Sequence, residues 1–108
     1  MWAKMGFYDK AIEDYTKAID LNPQDNIAYG NRGNVYSNNK IDFDHAIKDY
    51  TEAIEIDPTG YLYFAKGVVW LKKKNYERAI TDLRKAIALN RKDSYVYDDL
   101  GLALKKKG

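Results

Sequence analysis

The stretch Tyr29-Gly30-Asn31-Arg32-Gly33-Asn34-Val35-Tyr36, followed after a polar break by Ala46-Ile47-Lys48-Asp49-Tyr50-Thr51-Glu52-Ala53-Ile54, decides how the chain reads. Within each segment the aromatic, small and large apolar residues lie three, four and seven positions apart, so they share one face of an α-helix. Asn38-Asn39 between the segments is a turn signal. Pro58 closes the second segment, because proline disfavours α geometry in the residue before it and has no N–H for the helix ladder. The stretch therefore predicts a helix hairpin.

The hairpin recurs along the chain. Gly33, Gly67 and Gly101 are spaced by 34 residues, inside the copies Tyr29…Arg32-Gly33…Tyr36, Tyr63…Lys66-Gly67…Trp70 and Tyr97…Leu100-Gly101…Leu104. The second motif alternates with the first, as Ala11-Ile12…Tyr15…Ala18-Ile19, Ala46-Ile47…Tyr50…Ala53-Ile54 and Ala79-Ile80…Leu83…Ala86-Ile87. Two copies of the second motif run into Asn22-Pro23 and Asp57-Pro58, and the third has Arg91 in that place. Charged residues such as Glu13, Asp14, Lys17 and Asp20 occupy the opposite helix face. Six helices are expected, over about residues 8–21, 26–39, 43–56, 60–73, 76–89 and 94–106. Asp25 and Asp93 are candidate N-caps, and Gly6, Asn38-Asn39 and Asn75 mark the hairpin turns.

These residues resemble the tetratricopeptide repeat, whose pattern runs Trp-x2-Leu-Gly-x2-Tyr, then Ala-x3-Phe, then Ala and Pro. The resemblance spans essentially the whole chain and implies an all-α fold of antiparallel helix hairpins stacked into a right-handed superhelix with a concave inner face. On this reading residues 1–23 are a partial repeat, 24–58 and 59–91 are repeats, and 92–108 form the first helix of another. Small residues such as Gly33, Ala46 and Ala53 sit where helices approach closely, while Tyr36 and Tyr50 fill the volume between them.

Two departures from the pattern compensate each other. One extra residue lies near Lys40-Ile41-Asp42, where a loop bulge is expected, and the linker after Pro58 is one residue shorter than the one after Pro23. Trp2 takes the place of Tyr36 and Trp70, and Gly108 is the counterpart of Gly6, so the sequence is expected to begin and end inside hairpin turns. That reading leaves Tyr15, Tyr97, Leu100 and Leu104 short of partners, and predicts association of copies through their end helices.

Composition narrows the function classes. The 108 residues are 45% hydrophobic and 31% charged, as suits a folded soluble chain rather than a disordered one. A net charge of +2 argues against nucleic acid or an anionic membrane as the main partner, and the Lys105-Lys106-Lys107 run reads as a solvated helix end. No apolar run approaches the roughly 20 residues that span a bilayer. The absence of cysteine excludes disulfides and thiolate metal sites and fits a reducing, cytoplasmic setting. His45 stands alone beside a hairpin turn, and Asp42…Asp44 and Asp98-Asp99 are carboxylate pairs of a kind helix surfaces carry routinely. No phosphate-binding glycine loop, nucleophile elbow or metal-binding constellation is present, so neither an enzyme nor a cofactor is expected.

The family resemblance implies a concave face lined by the first helix of each repeat. By position that lining is Ile27, Gly30, Asn31, Asn34 and Asn38, then Tyr61, Phe64, Ala65, Val68 and Leu71 with Lys72 at the edge, then Tyr95, Asp98, Asp99 and Leu102. The candidate peptide-binding residues are Asn31, Asn34, Asn38, Tyr61, Phe64, Val68, Leu71 and Lys72. Asn31 and Asn34 can each donate to and accept from a peptide backbone. Tyr61, Phe64, Val68 and Leu71 form an apolar stripe that is either an anchor surface or buried by an adjacent segment. Some family members hold chaperone C-termini in a two-carboxylate clamp, but the clamp's basic positions fall here on Tyr61 and Ala65, or on Tyr95 and Asp99. The sequence thus points to a protein-interaction scaffold that binds a peptide or partner segment in its groove. The alternatives are a self-assembling structural repeat and an RNA-binding helical repeat, the latter disfavoured by the charge and by scarce outward arginine.

Overall fold

A computed structural model describes the backbone of residues 2–108 and the side chains of residues 6–108. Among the described residues six helices form: α1 (Trp2–Leu21), α2 (Asn26–Asn38), α3 (Phe43–Ile56), α4 (Gly60–Lys72), α5 (Tyr76–Ala88) and α6 (Ser94–Lys107). They are distributed over two compact units, Met1–Asp57 and Pro58–Gly108. In the N-terminal unit α2 packs against both α1 and α3; in the C-terminal unit α5 packs against both α4 and α6.

Each hairpin is fixed by its caps. The side chains of Asp25, Asp42, Thr59, Asn75 and Asp93 accept backbone N–H groups at the start of α2 to α6, satisfying donors that a helix leaves free. Asp25 and Asp93 were legible as caps from their places before apolar helical runs. Asn75 does more than mark a turn, because its Oδ1 accepts from the Arg78 N–H. At the ends of α4 and α5, Lys74 (φ 66°) and Asn90 (φ 74°) turn left-handed, and the next N–H reaches back to Trp70 O and Ala86 O. Arg91 can make the second of these bonds because it stands where the earlier copies have proline, which has no N–H.

The extra residue near Lys40-Ile41-Asp42 widens the corresponding turn after α2. The Lys40 N–H bonds to Val35 O and the Asp42 N–H to Tyr36 O, with Ile41 left-handed between them at φ 54°. A β-branched residue is poorly suited to that region. Ile41 is 63% exposed, so it has little packing to lose. Replacing it with Asn, which tolerates this conformation, is expected to stabilise the protein by about 1 kcal/mol. An unchanged or lowered midpoint of urea unfolding would contradict that account.

Gly6 corrects the expectation of a turn. It lies inside the continuous helix Trp2–Leu21 with a right-handed backbone. The reason is local. In the same register Lys74 and Ile41 are followed by the capping residues Asn75 and Asp42, whereas Gly6 is followed by Phe7, which has no oxygen with which to cap a new helix.

The cores follow the sequence pattern. Ala46, Tyr50 and Ala53 of α3 are buried with Ala28 and Gly33 of α2. In the C-terminal unit Ala79, Ile80 and Ala103 form one cluster, and Leu83, Ala86 and Val96 another. A Cβ on Gly33 would sit 2.9 Å from the Tyr50 ring, and one on Gly67 would sit 2.9 Å from Leu83 Cγ. Gly33 and Gly67 are therefore contact points between a helix backbone and a core side chain of the facing helix.

Candidate functional site

Each unit contains an ion pair between its first full hairpin's helices. In the N-terminal unit Arg32 Nε and Nη2 donate to the two carboxylate oxygens of Asp49, both at 2.8 Å, and Nη1 donates to Thr16 Oγ1 at 3.1 Å. Thr16 in turn donates to Ile12 O, so one guanidinium ties α1, α2 and α3 together. The hydrogen bonds that Arg32 donates to the Asp49 carboxylate raise its pKa further above its already high value. In the C-terminal unit the equivalent pair is looser, with Lys66 Nζ 3.7 Å from Asp82 Oδ1. Burial pushes the Asp82 carboxyl up, and Lys66, with hydrogen bonds from Lys66 and Trp70, offsets this only in part. Sequence reading placed Arg32 and Lys66 in the core stripe without partners. The missed signal was a cation and a carboxylate recurring together at core positions of both hairpins.

The expected groove residues divide between α2 and α4. Asn31, Asn34 and Asn38 lie in a row along α2, with Asn31 half-buried and Asn38 exposed at its last turn. Asn34 is half-buried, and its Oδ1 accepts the Tyr50 hydroxyl at 2.5 Å. On α4, Tyr61 is 44% exposed, whereas Phe64 and Leu71 pack against the cluster of Leu83, Ala86 and Val96. Val68 is half-buried and Lys72 exposed.

Arg91 joins this α4 surface. Its guanidinium carbon lies 4.6 Å from the Phe64 ring centre and 5.7 Å from that of Tyr61, within cation–π range. Its Nε sits 3.1 Å from Asp93 Oδ2 as an ion pair, without hydrogen-bond alignment. Gly60 lets the chain come this close, because a Cβ there would lie 2.9 Å from Arg91 Cβ. No sequence motif singled out Arg91, although its departure from proline was visible.

His45 is exposed but not isolated. Its Nδ1 is 2.6 Å from Asp42 Oδ2, and its ring stacks on Tyr36 with centres 4.9 Å apart, so it braces the start of α3. Asp99 is pushed up by burial first and by Asp98 and Asp93 next. Among the described residues no group of three or more His, Cys, Asp or Glu is placed to hold a metal ion, and no helix is long and apolar enough to cross a membrane.

Comparison with known proteins accords with this geometry. A family model described as "TPR repeat" matches residues 3–40 and 60–108, and one described as "Tetratricopeptide repeat" matches residues 27–59. No curated protein sequence matches. Among solved structures, the first TPR of Spaghetti (RPAP3) bound to the HSP90 peptide SRMEEVD aligns with a TM-score of 0.86 and 25% identity, covering 96% of this chain and 82% of that one. The Arabidopsis OM64 TPR domain gives 0.85 and 27%, covering 95% and 85%. MamA gives 0.89 and 25%, covering 98% of this chain and 62% of that one. The fold is an all-α helical repeat.

Proposed function

The chain belongs to the tetratricopeptide-repeat family, and from that premise we propose that it is a protein-interaction module that holds a peptide or partner segment against the first helix of a repeat, α2 or α4. The observation that supports this most is the likeness over nearly the whole chain to a repeat domain bound to a peptide. The chemistry of each helix agrees. Asn31 and Asn38 offer amides to a peptide backbone. Tyr61 and Val68 offer apolar area already ordered by the core beneath them, which lowers the entropy lost on binding. Phe64 lies between that core and Arg91, whose guanidinium also faces the Tyr61 ring. Tyrosine is a favoured anchor at interfaces.

A peptide selected from a display library against the wild type supplies the ligand for the test. Tyr61→Ala is expected to weaken it at least fivefold, a loss of about 1 kcal/mol. Asn31→Ala is expected to act in the same direction more weakly. Both positions are partly exposed, so the helical circular dichroism should not change. Unaltered affinity in both variants would remove the groove reading.

A second reading, association of copies, is favoured by the apolar surface of α6. Tyr95 is 69% exposed, and Tyr97, Leu102 and Leu104 are also exposed. Solution mass that rises with concentration, and returns to that of one chain in Leu102→Ser with Leu104→Ser, would establish it.

A further inference from the structure

The net charge of +2 conceals a sharp division between the two units. Met1–Asp57 carry six Lys or Arg against eleven Asp or Glu, a net of −5, while Pro58–Gly108 carry twelve against five, a net of +7. Within the C-terminal unit part of the positive charge gathers at one place. Lys73 and Lys74, at the turn after α4, meet Lys106 and Lys107, at the end of α6, around an open basin of about 430 Å³. Asn75, Tyr76 and Glu77, which open α5, complete its wall. The four lysines come from segments more than thirty residues apart in sequence. Glu77 is the one acidic residue in the lining. The positive end of α5 adds to the lysines rather than opposing them.

We propose that this basin is a second binding site, one that takes an acidic segment of a partner protein, a short run of aspartate and glutamate side chains. Several observations favour that occupant over a nucleic acid. The lining offers lysine point charges but no arginine fork of the kind that grips phosphate bidentately. It holds a single aromatic ring, Tyr76, and so no platform for successive bases. A short acidic segment is matched to the size of the basin, and its encounter is steered by the local positive field.

As helix-end residues alone, Lys73, Lys74, Lys106 and Lys107 would serve only the negative ends of α4 and α6. Lys74 separates the two readings. Its left-handed backbone at φ 66° suits Asn better than Lys, as Asn90 shows in the same role after α5. Lys74→Asn should therefore raise thermal stability while weakening an acidic ligand, two effects of opposite sign that loss of folding cannot mimic.

The probe is a fluorescein-labelled oligoglutamate peptide, followed by anisotropy with the full chain. Wild type should bind it in low salt and release it as salt rises. Lys73→Gln, Lys74→Gln, Lys106→Gln and Lys107→Gln together should weaken it about tenfold or more, from the sum of several exposed charge pairs. Lys74→Asn alone should weaken it about twofold to fivefold with a higher midpoint of thermal unfolding. Tyr61→Ala should leave it unchanged, so this site and the groove fail or stand separately. Equal binding by the fourfold variant would overturn the proposal. So would tighter binding of oligothymidylate than of oligoglutamate, or lysine-dependent self-association in place of peptide binding.

Discussion

Asp49→Ala is expected to lower the stability of the protein by about 3–5 kcal/mol, the range for removing one partner of a buried ion pair. Asp49 is 2% exposed and receives two hydrogen bonds from Arg32, so the substitution strips a largely buried guanidinium of both carboxylate acceptors and leaves only Thr16. The loss should be read by amide hydrogen exchange, with protection falling first over Ala46–Ala53 of α3. Replacing both partners, with Arg32→Met and Asp49→Leu, should recover most of the loss, because neither charge then remains to be solvated. If the double variant were as unstable as the single, the cost would lie in packing rather than in the orphaned charge.

The related pair in the other unit predicts a different outcome. Asp82 is buried but meets Lys66 at only 3.7 Å, and its pKa is raised above 3.8 because burial outweighs the partner. A carboxyl whose folded pKa is raised favours the fold while protonated. Its contribution is present below pH 3.8 and is lost as pH climbs through the higher folded value. Asp82→Asn stays neutral throughout, so it should match wild type in acid and exceed it by up to about 1 kcal/mol at neutral pH. One carboxylate is thus a clasp and its counterpart a mild liability, although the sequence places both one residue before a large core side chain.

That contrast shows where sequence reasoning ends. Helix existence and the bounds of α2 to α6 were legible to within about two residues because they follow from spacing, and α3 begins and ends where periodicity placed it, at Phe43 and Ile56. Asp25 and Asp93 were legible because capping is local. The turn assigned to Gly6 failed because the repeat register specified a turn while the local chemistry, Phe7 at the capping position, could not stop the helix. Asn34 read as a groove residue for a peptide backbone, and only the fold shows that its Oδ1 meets the Tyr50 hydroxyl. Phe64 and Leu71 read as a stripe that is either an anchor or buried; helical spacing gives the row but not what packs against it. The division of charge was countable in the sequence, yet it acquired meaning only when the chain separated into two units and the two lysine pairs met at one basin.

The glycine repeat supplies the sharpest case of equal letters with unequal energies. Gly67→Val is expected to destabilise the protein by about 3 kcal/mol. Its Cβ would lie 2.9 Å from Leu83 Cγ and 3.0 Å from Leu83 Cδ2, and Leu83 is fully buried with no room to retreat. Overpacking of that kind outweighs the roughly 0.5 kcal/mol that a helix gains when glycine is replaced by valine. Shortening the obstruction tests the mechanism. Gly67→Val combined with Leu83→Ala should cost less than the sum of the separate changes, by about 1 kcal/mol or more, because the two side chains compete for one volume. Gly101 holds the same place one repeat later, and nothing lies within 4 Å of the Cβ it would carry. Gly101→Ala should therefore stabilise the protein by about 1 kcal/mol through helix propensity alone. Urea midpoints that moved in the same direction for Gly67→Val and Gly101→Ala would show that helix propensity, and not the approach of α5 to α4, governs this position.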